Sequence, residues 1–244
     1  RVLFRSGVFT AEGPGHVLLS GDYSQIELRV LAHISEDPGL IEAFVEGEDI
    51  HTRTASEVFD VSREDVTPLL RDRAKAVNFG IVYGISDYGL SQGLGISNRE
   101  AQDYIEAYFE RYSGVRDYVR ETIKKAKSTG YVTTLLNRRR YIPDISSRNY
   151  NLRSFAERTA MNTPIQGSAA DIIKVAMVKV YHNLKQNNLK TKLLLQVHDE
   201  LIFDVPEDEL STVKNIVKEH MENALSLKVP LIVDFKQGYT WEDL

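Results

Sequence analysis

The sequence has 244 residues, 35 acidic against 30 basic side chains, a net charge of −5, 42% hydrophobic residues and no cysteine. Its length and hydrophobic content fit a folded chain with a substantial core and exclude wholesale disorder, while the missing cysteines exclude disulfide frameworks, thiolate metal sites and cysteine nucleophiles. No apolar run approaches membrane-spanning length and the N-terminus lacks a signal-peptide pattern, so the chain reads as soluble and cytoplasmic, with no membrane partner.

Residues His16–Ser20 follow Gly13-Pro-Gly15 and read as a short buried strand ending at Gly21-Asp22. Ile26, Val30, Leu31 and Ile34 then recur at helical spacing. Between residues 40 and 128 the pattern predicts helix after helix: Leu40–Val45, Ile50–Phe59, Pro68–Tyr83, Asn98–Arg111 and Val115–Lys127, with Ser97-x-x-Glu100 resembling a capping box. Val132–Leu136 reads as a strand, and Ala156–Asn187 as a long helical stretch broken or capped near Pro164 and Gly167. Lys192–Val197 and Leu201–Val205 read as a hairpin around His198-Asp199-Glu200, followed by a helix, Leu210–Leu225, and a last strand, Leu231–Phe235. Strands at both ends with helices inserted between them predict an α+β fold with a segregated helical subdomain.

Charge is distributed unevenly. Residues 111–158 hold twelve basic and four acidic side chains, or +8, which leaves −13 for the rest. Tyr112, Tyr118, Tyr131, Tyr141 and Tyr150 lie within this basic stretch, a composition able to track a phosphate backbone; a solvated helical face is the plainer alternative.

Three segments carry chemistry. Asp22-Tyr-Ser-Gln-Ile-Glu27 puts a carboxylate at the end of a buried strand, and His198-Asp199-Glu200 puts two more at a hairpin tip. An N-cap explains the first and a plain turn the second; together they offer hard oxygen ligands suited to magnesium. In the third, Arg71, Lys75, Phe79 and Tyr83 step by four along a helix, each drifting about 40° from the last. Two cations followed by two aromatics suit a nucleoside triphosphate, phosphates on the first pair and base near the second; the alternative is an amphipathic helix with a buried aromatic face.

In this order the three segments resemble motifs A, B and C of the family A DNA polymerases: Asp22-Tyr-Ser-Gln-Ile-Glu-Leu-Arg29, Arg71-x-x-x-Lys75-x-x-x-Phe79-Gly80-x-x-Tyr83-Gly84 and Gln196-Val-His-Asp-Glu200. His51-Thr52, Arg138-Arg-Arg-Tyr-Ile-Pro143 and the run from Glu157-Arg158 through Asn162 to Gln166-Gly167 extend the resemblance from about Gly13 to the C-terminus. The resemblance implies a palm with an antiparallel sheet (1–38 and 151–244) and inserted helical fingers (39–150), without a thumb. It implies template-directed DNA synthesis, with dNTP and primer-template DNA as partners and two Mg²⁺ ions held by Asp22, Asp199 and the Tyr23 carbonyl, Glu200 assisting. It also implies nucleotide contacts from Tyr23, Gln25, Glu27, His51, Arg71, Lys75, Phe79 and Tyr83. Lys75 would donate a proton to the leaving group, and Glu27 would exclude a 2′-hydroxyl. Phe79, rather than Tyr, goes with discrimination against dideoxynucleotides. DNA contacts would come from Arg140, Arg158, Asn162, Gln166 and His198. The expected setting is a monomer in a bacterial or phage-infected cell. The alternative is a catalytically incompetent DNA-binding fragment of such a polymerase. A phage-type RNA polymerase fits less well, because Glu27 and the Gln-Val-His-Asp-Glu string argue against it; a metal-dependent nuclease would not need the 71–83 stripe.

Overall fold

The computed structural model describes residues 7–244. Its chain divides into two compact units. One comprises residues up to 26, 169–226 and 231–244; the other comprises residues 27–168 and 227–230.

The first unit is built on a four-stranded antiparallel sheet in the order β4-β5-β1-β6, with β1 His16–Tyr23, β4 Lys192–Val197, β5 Glu200–Pro206 and β6 Val233–Gly238. The chain's first strand therefore lies between two of its last. Leu18, Leu19, Leu201, Phe203 and Val205 are buried, which accounts for the nearly continuous apolar runs of the central strands β1 and β5. Edge strand β4 is mostly exposed. Helix α9 (Leu210–Glu222) buries Val213, Val217 and Met221, four residues apart, on the sheet. Its approach needs a residue without a side chain in β1: a Cβ on Gly21 would lie 3.1 Å from Val217 and 3.4 Å from Met221.

The second unit is helical: α1 Ile26–Ser35, α2 Pro38–Val45, α3 Ile50–Val58, α4 Pro68–Tyr83, α5 Asp87–Leu94, α6 Asn98–Arg111 and α7 Ser113–Thr129, followed by a small hairpin of β2 (Tyr131–Thr133) and β3 (Arg139–Tyr141). The starts are chemically marked. Asp37, Asp49, Thr67, Ser86 and Ser97 each accept a backbone N–H of the first turn, and Pro38 and Pro68 open α2 and α4. Only the hydroxyl side of the expected capping box is seen at α6, where the Glu100 carboxylate accepts the Tyr104 hydroxyl at 2.7 Å. Fully buried Leu40, Ile50, Ala55, Ala74, Val77, Tyr108 and Tyr112 form the helical core.

Helix α8 runs from Tyr150 to Gln186 with Pro164 inside it, where the sequence predicted a break. Proline removes the N–H that would have reached the Ala160 carbonyl, yet the helix continues on both sides of it. Gly167 lets the 134–135 segment come close, since a Cβ there would lie 2.6 Å from Thr134 Cγ2; next to it the Ser168 hydroxyl accepts the Leu135 N–H at 2.9 Å. Among the described residues no helix is long and apolar enough to cross a membrane.

Candidate active site

Whether the Asp22 and Asp199-Glu200 segments meet is a question of strand register. β1 pairs with β5 so that Asp22 faces Glu200, and with β6 so that Asp22 faces Asp234. The Tyr23 N–H donates to the Asp199 carbonyl at 3.2 Å, which fixes the hairpin tip against the end of β1. Opposed residues in adjacent strands project to the same side, so three carboxylates stand in one row with Asp199 beside it. The electrostatic consequence falls on Asp22: desolvation, then the charges of Asp199, Glu200 and Asp234, push its carboxyl up to about 6, against a smaller opposing effect of Lys236. The Ser20 hydroxyl donates to Glu200. The Tyr23 hydroxyl is buried on the Met221 carbonyl at 2.6 Å, which anchors the residue next to Asp22.

Asp234 belongs to this cluster, and no motif pointed to it. Its membership depends on a pairing across more than 200 residues, for which a local pattern carries no signal. A separate trio, Glu12, His16 and Asp204, has its ligand atoms within 4.8 Å of one another. Its groups are already engaged: the buried Asp204 accepts the Glu12 N–H at 2.9 Å and pairs with His16 Nδ1 at 2.8 Å, while Lys192 pairs with Glu12 at 2.6 Å. That trio is a hydrogen-bonded clasp between the start of β1 and β5.

The second constellation is on α4, in the helical unit. Thr67 caps its start, and Gly84, in the left-handed region at φ 66°, ends it where a side chain would crowd Arg158. The helix buries Ala74, Val77, Asn78, Ile81 and Val82, which leaves the Arg71–Lys75–Phe79–Tyr83 stripe off the core. Tyr83 is 45% exposed and stacks on Phe79 at 6.4 Å and 17°. The aromatics therefore form a platform rather than a buried face. Gly80, buried between them, faces the Ile85 side chain, which lies 2.5 Å from where a Cβ would stand. Nor is Arg71 without an acid. Its guanidinium donates to Asp49 Oδ2 at 2.6 and 3.2 Å, while Asp49 Oδ1 caps α3 at Thr52. Lys75 is exposed.

His51, in the first turn of α3, lies with its ring 5.8 Å from Phe79. Burial lowers its imidazole to about 4; Asp49 opposes this, and Arg71 and Lys75 reinforce it. The ring is neutral at physiological pH. Asn78, which sequence reasoning did not single out, is fully buried with its amide nitrogen 3.0 Å from His51 Nδ1.

Glu27 stands half-buried in the first turn of α1. Gln25 and His198 adopt positive φ, 55° and 53°, at the two turns that follow β1 and β4. The His198 carbonyl accepts from Gln196 Nε2 at 3.1 Å. In the basic stretch Tyr112 is fully buried, whereas Tyr141 and Tyr150 are 66% and 70% exposed. Arg140 is exposed and reaches Thr163 at 3.3 Å. Along α8, Arg158 donates to Ser154, Asn162 has a buried amide oxygen without a hydrogen-bond partner, and Gln166 is exposed.

A family model described as DNA polymerase family A matches residues 4–243. The DNA polymerase I of Caldicellulosiruptor bescii is 62% identical over 234 residues, covering 96% of this chain and 27% of that protein. That of Bacillus subtilis is 60% identical over 227 residues, covering 93% and 26%. Among solved structures, the chain is similar to the POL domain of Pol1 from M. smegmatis in complex with DNA primer-template and dNTP, with a TM-score of 0.93 and 50% identity over 98% of this chain and 42% of that one. The chain thus spans about a quarter of the length of the curated relatives it matches.

Proposed function

Since the chain belongs to DNA polymerase family A, we propose that it carries the nucleotide-adding machinery of a template-directed DNA polymerase, working in the cytoplasm of a bacterium or phage-infected cell. The observation that supports this most is the β1–β5 register, which stands Asp22 against Glu200 and beside Asp199. We read residues 1–38 and 151–244 as palm and 39–150 as fingers, a division that departs from the two compact units at residues 27–38 and 151–168.

The carboxylate row fits divalent cations. Its oxygens are hard ligands, and the raised Asp22 carboxyl marks a surplus of negative charge that a cation would relieve. Asp22, Asp199 and the Tyr23 carbonyl would hold a pair of Mg²⁺ ions, with Glu200 kept in place by Ser20. When bound, such ions supply Lewis acidity toward a primer 3′-hydroxyl and the departing pyrophosphate.

The chain's own side chains then have distinct tasks. Arg71 exchanges Asp49 for a phosphate, and Lys75 binds the same triphosphate and can donate a proton to the pyrophosphate leaving group. His51 binds phosphate oxygens as a neutral donor. The Phe79–Tyr83 platform lines the new base pair. Tyr23, Gln25 and Glu27 meet the incoming sugar, with Glu27 excluding a 2′-hydroxyl. Arg140, Arg158, Asn162, Gln166 and His198 contact primer or template.

The reading is tested by primer extension with the polymerase that contains this chain. Incorporation is expected to follow the template base and to prefer dNTP over rNTP, and Glu27→Ala is expected to narrow that preference. DNA binding without extension would favour a non-catalytic fragment, and ribonucleotide preference would favour the RNA polymerase alternative.

A further inference from the structure

A buried chain of hydrogen bonds runs from Glu57 to His51. The Glu57 carboxylate accepts from Arg111 at 2.7 Å, from the Tyr112 hydroxyl at 2.7 Å and from Arg53 Nε at 3.1 Å. Burial works to raise its pKa, yet these donors hold it below the ordinary glutamate value. An ionised carboxylate only accepts, so the single Tyr112 hydrogen is committed to Glu57. The Tyr112 oxygen is left to accept from Thr54 Oγ1 at 3.3 Å. Thr54 Oγ1 in turn lies 3.2 Å from the Asn78 amide nitrogen, whose other hydrogen faces His51 Nδ1 at 3.0 Å. Thr54 has one hydrogen, committed to Tyr112, so its Oγ1 accepts from the Asn78 amide nitrogen; Asn78 Oδ1, also 3.2 Å away, receives no hydrogen from it. Thr54, Asn78 and Tyr112 have no exposed surface and His51 has 3%, so solvent does not replace these partners.

An amide nitrogen cannot accept, and His51 Nδ1 must therefore carry the lone pair. The ring proton then belongs to Nε2. With the opposite tautomer, Nε2 would present a lone pair to an anionic oxygen and repel it. We propose that Asn78 is a positioning residue for nucleotide binding, fixing the Nε2–H tautomer of His51 so that the imidazole meets a triphosphate as a neutral hydrogen-bond donor. The proposal rests on reading His51 as a phosphate contact. A neutral donor suits this position because Arg71 and Lys75 already act on the ring and a third cation would repel both. The chain assigns the hydrogens from Glu57 to Thr54, and the Asn78 amide, oriented with its nitrogen toward the ring, assigns the tautomer at its end.

The test has two readouts. In the purified chain labelled with ¹⁵N-histidine, long-range ¹H–¹⁵N correlation is expected to show His51 protonated at Nε2 and bare at Nδ1. In Asn78→Asp, an almost isosteric variant that preserves packing, the new carboxylate is expected to draw a proton onto Nδ1. A His51 ring protonated at Nδ1 in the unmodified chain would overturn the proposal, as would an Asn78→Asp spectrum identical to it. In the polymerase containing this chain, Asn78→Ala is expected to raise KM for dNTP about tenfold with kcat little changed, as expected for losing one hydrogen bond to a charged group. An unchanged KM in Asn78→Ala alongside a raised KM in His51→Ala refutes the role of Asn78 alone. An unchanged KM in both refutes the phosphate-contact reading and the role of Asn78 with it.

Discussion

Replacing Asp22 by Asn should make the metal-free chain more stable while removing its proposed chemistry. Desolvation and the charges of Asp199, Glu200 and Asp234 raise the Asp22 carboxyl from 3.8 to about 6. Between these values the folded chain binds more protons at Asp22 than the unfolded chain does, so the contribution of this group to stability falls as pH rises through the window and stays low above it. A shift of this size corresponds to at most about 3 kcal/mol. Asp22 is exposed, and solvent screening reduces the expected effect to about 1 kcal/mol. For a chain of this length that is about 2–4 °C in Tm. Thermal unfolding in EDTA at about pH 8 should therefore place Asp22→Asn above the unmodified chain by that margin, and the gap should close as pH falls through 6 toward 4. Millimolar Mg²⁺ should then stabilise the unmodified chain more than the variant, because only the former retains its ligand. An Asp22→Asn chain that melts lower than the unmodified one in EDTA would show that the carboxylates are not in repulsive contact, and the argument from the strand register would fail.

Three further variants probe other parts of the account. Phe79→Tyr, on the exposed stripe of α4, should ease incorporation of dideoxynucleotides by the intact polymerase; chain termination unchanged from the Phe form would sink that expectation. Gly84→Ala forces a Cβ into a left-handed residue with Arg158 Cγ 3.0 Å away, so urea unfolding should show a loss of about 1–2 kcal/mol, and a neutral result would contradict the cap. His16→Ala leaves the buried Asp204 without its 2.8 Å partner, and a loss of about 1–3 kcal/mol is expected in the same assay; an unaltered midpoint would mean that the clasp contributes nothing to the sheet.

Much of the fold is legible in local chemistry. Thr67-Pro68 and Gly84 mark both ends of α4, and the run of apolar residues in Leu201–Val205 marks a central strand. Local rules failed where tertiary contacts outweigh them. Pro164 suggests a break, but α8 continues through it with one backbone donor fewer. Helix α5 carries a weak local signal, since Gly89 and Gly93 are poor helix formers, although Ser86 caps its start and Gly95 its end. Strand β3 hid inside a run of arginines, whose stems are nonetheless compatible with a hairpin and place Arg139 over the Tyr131 ring at 4.7 Å. In the candidate site, the residue types and the four-residue spacing of the α4 stripe were readable. Partners across elements were not: Asp49 for Arg71, Asp234 for Asp22 and Asn78 for His51 depend on register and packing that no local window contains.

The central claim is that Asp22 and Asp199, joined by the β1–β5 pairing, form one cation site for nucleotide addition. Single-nucleotide primer extension under single-turnover conditions, in the polymerase that carries this chain, tests it most directly. With Mg²⁺ present, Asp22→Asn and Asp199→Asn should each slow extension about a thousandfold or more while leaving primer-template binding intact, in keeping with the loss of several kcal/mol of transition-state stabilisation. Extension at an undiminished rate in either variant would contradict the claim.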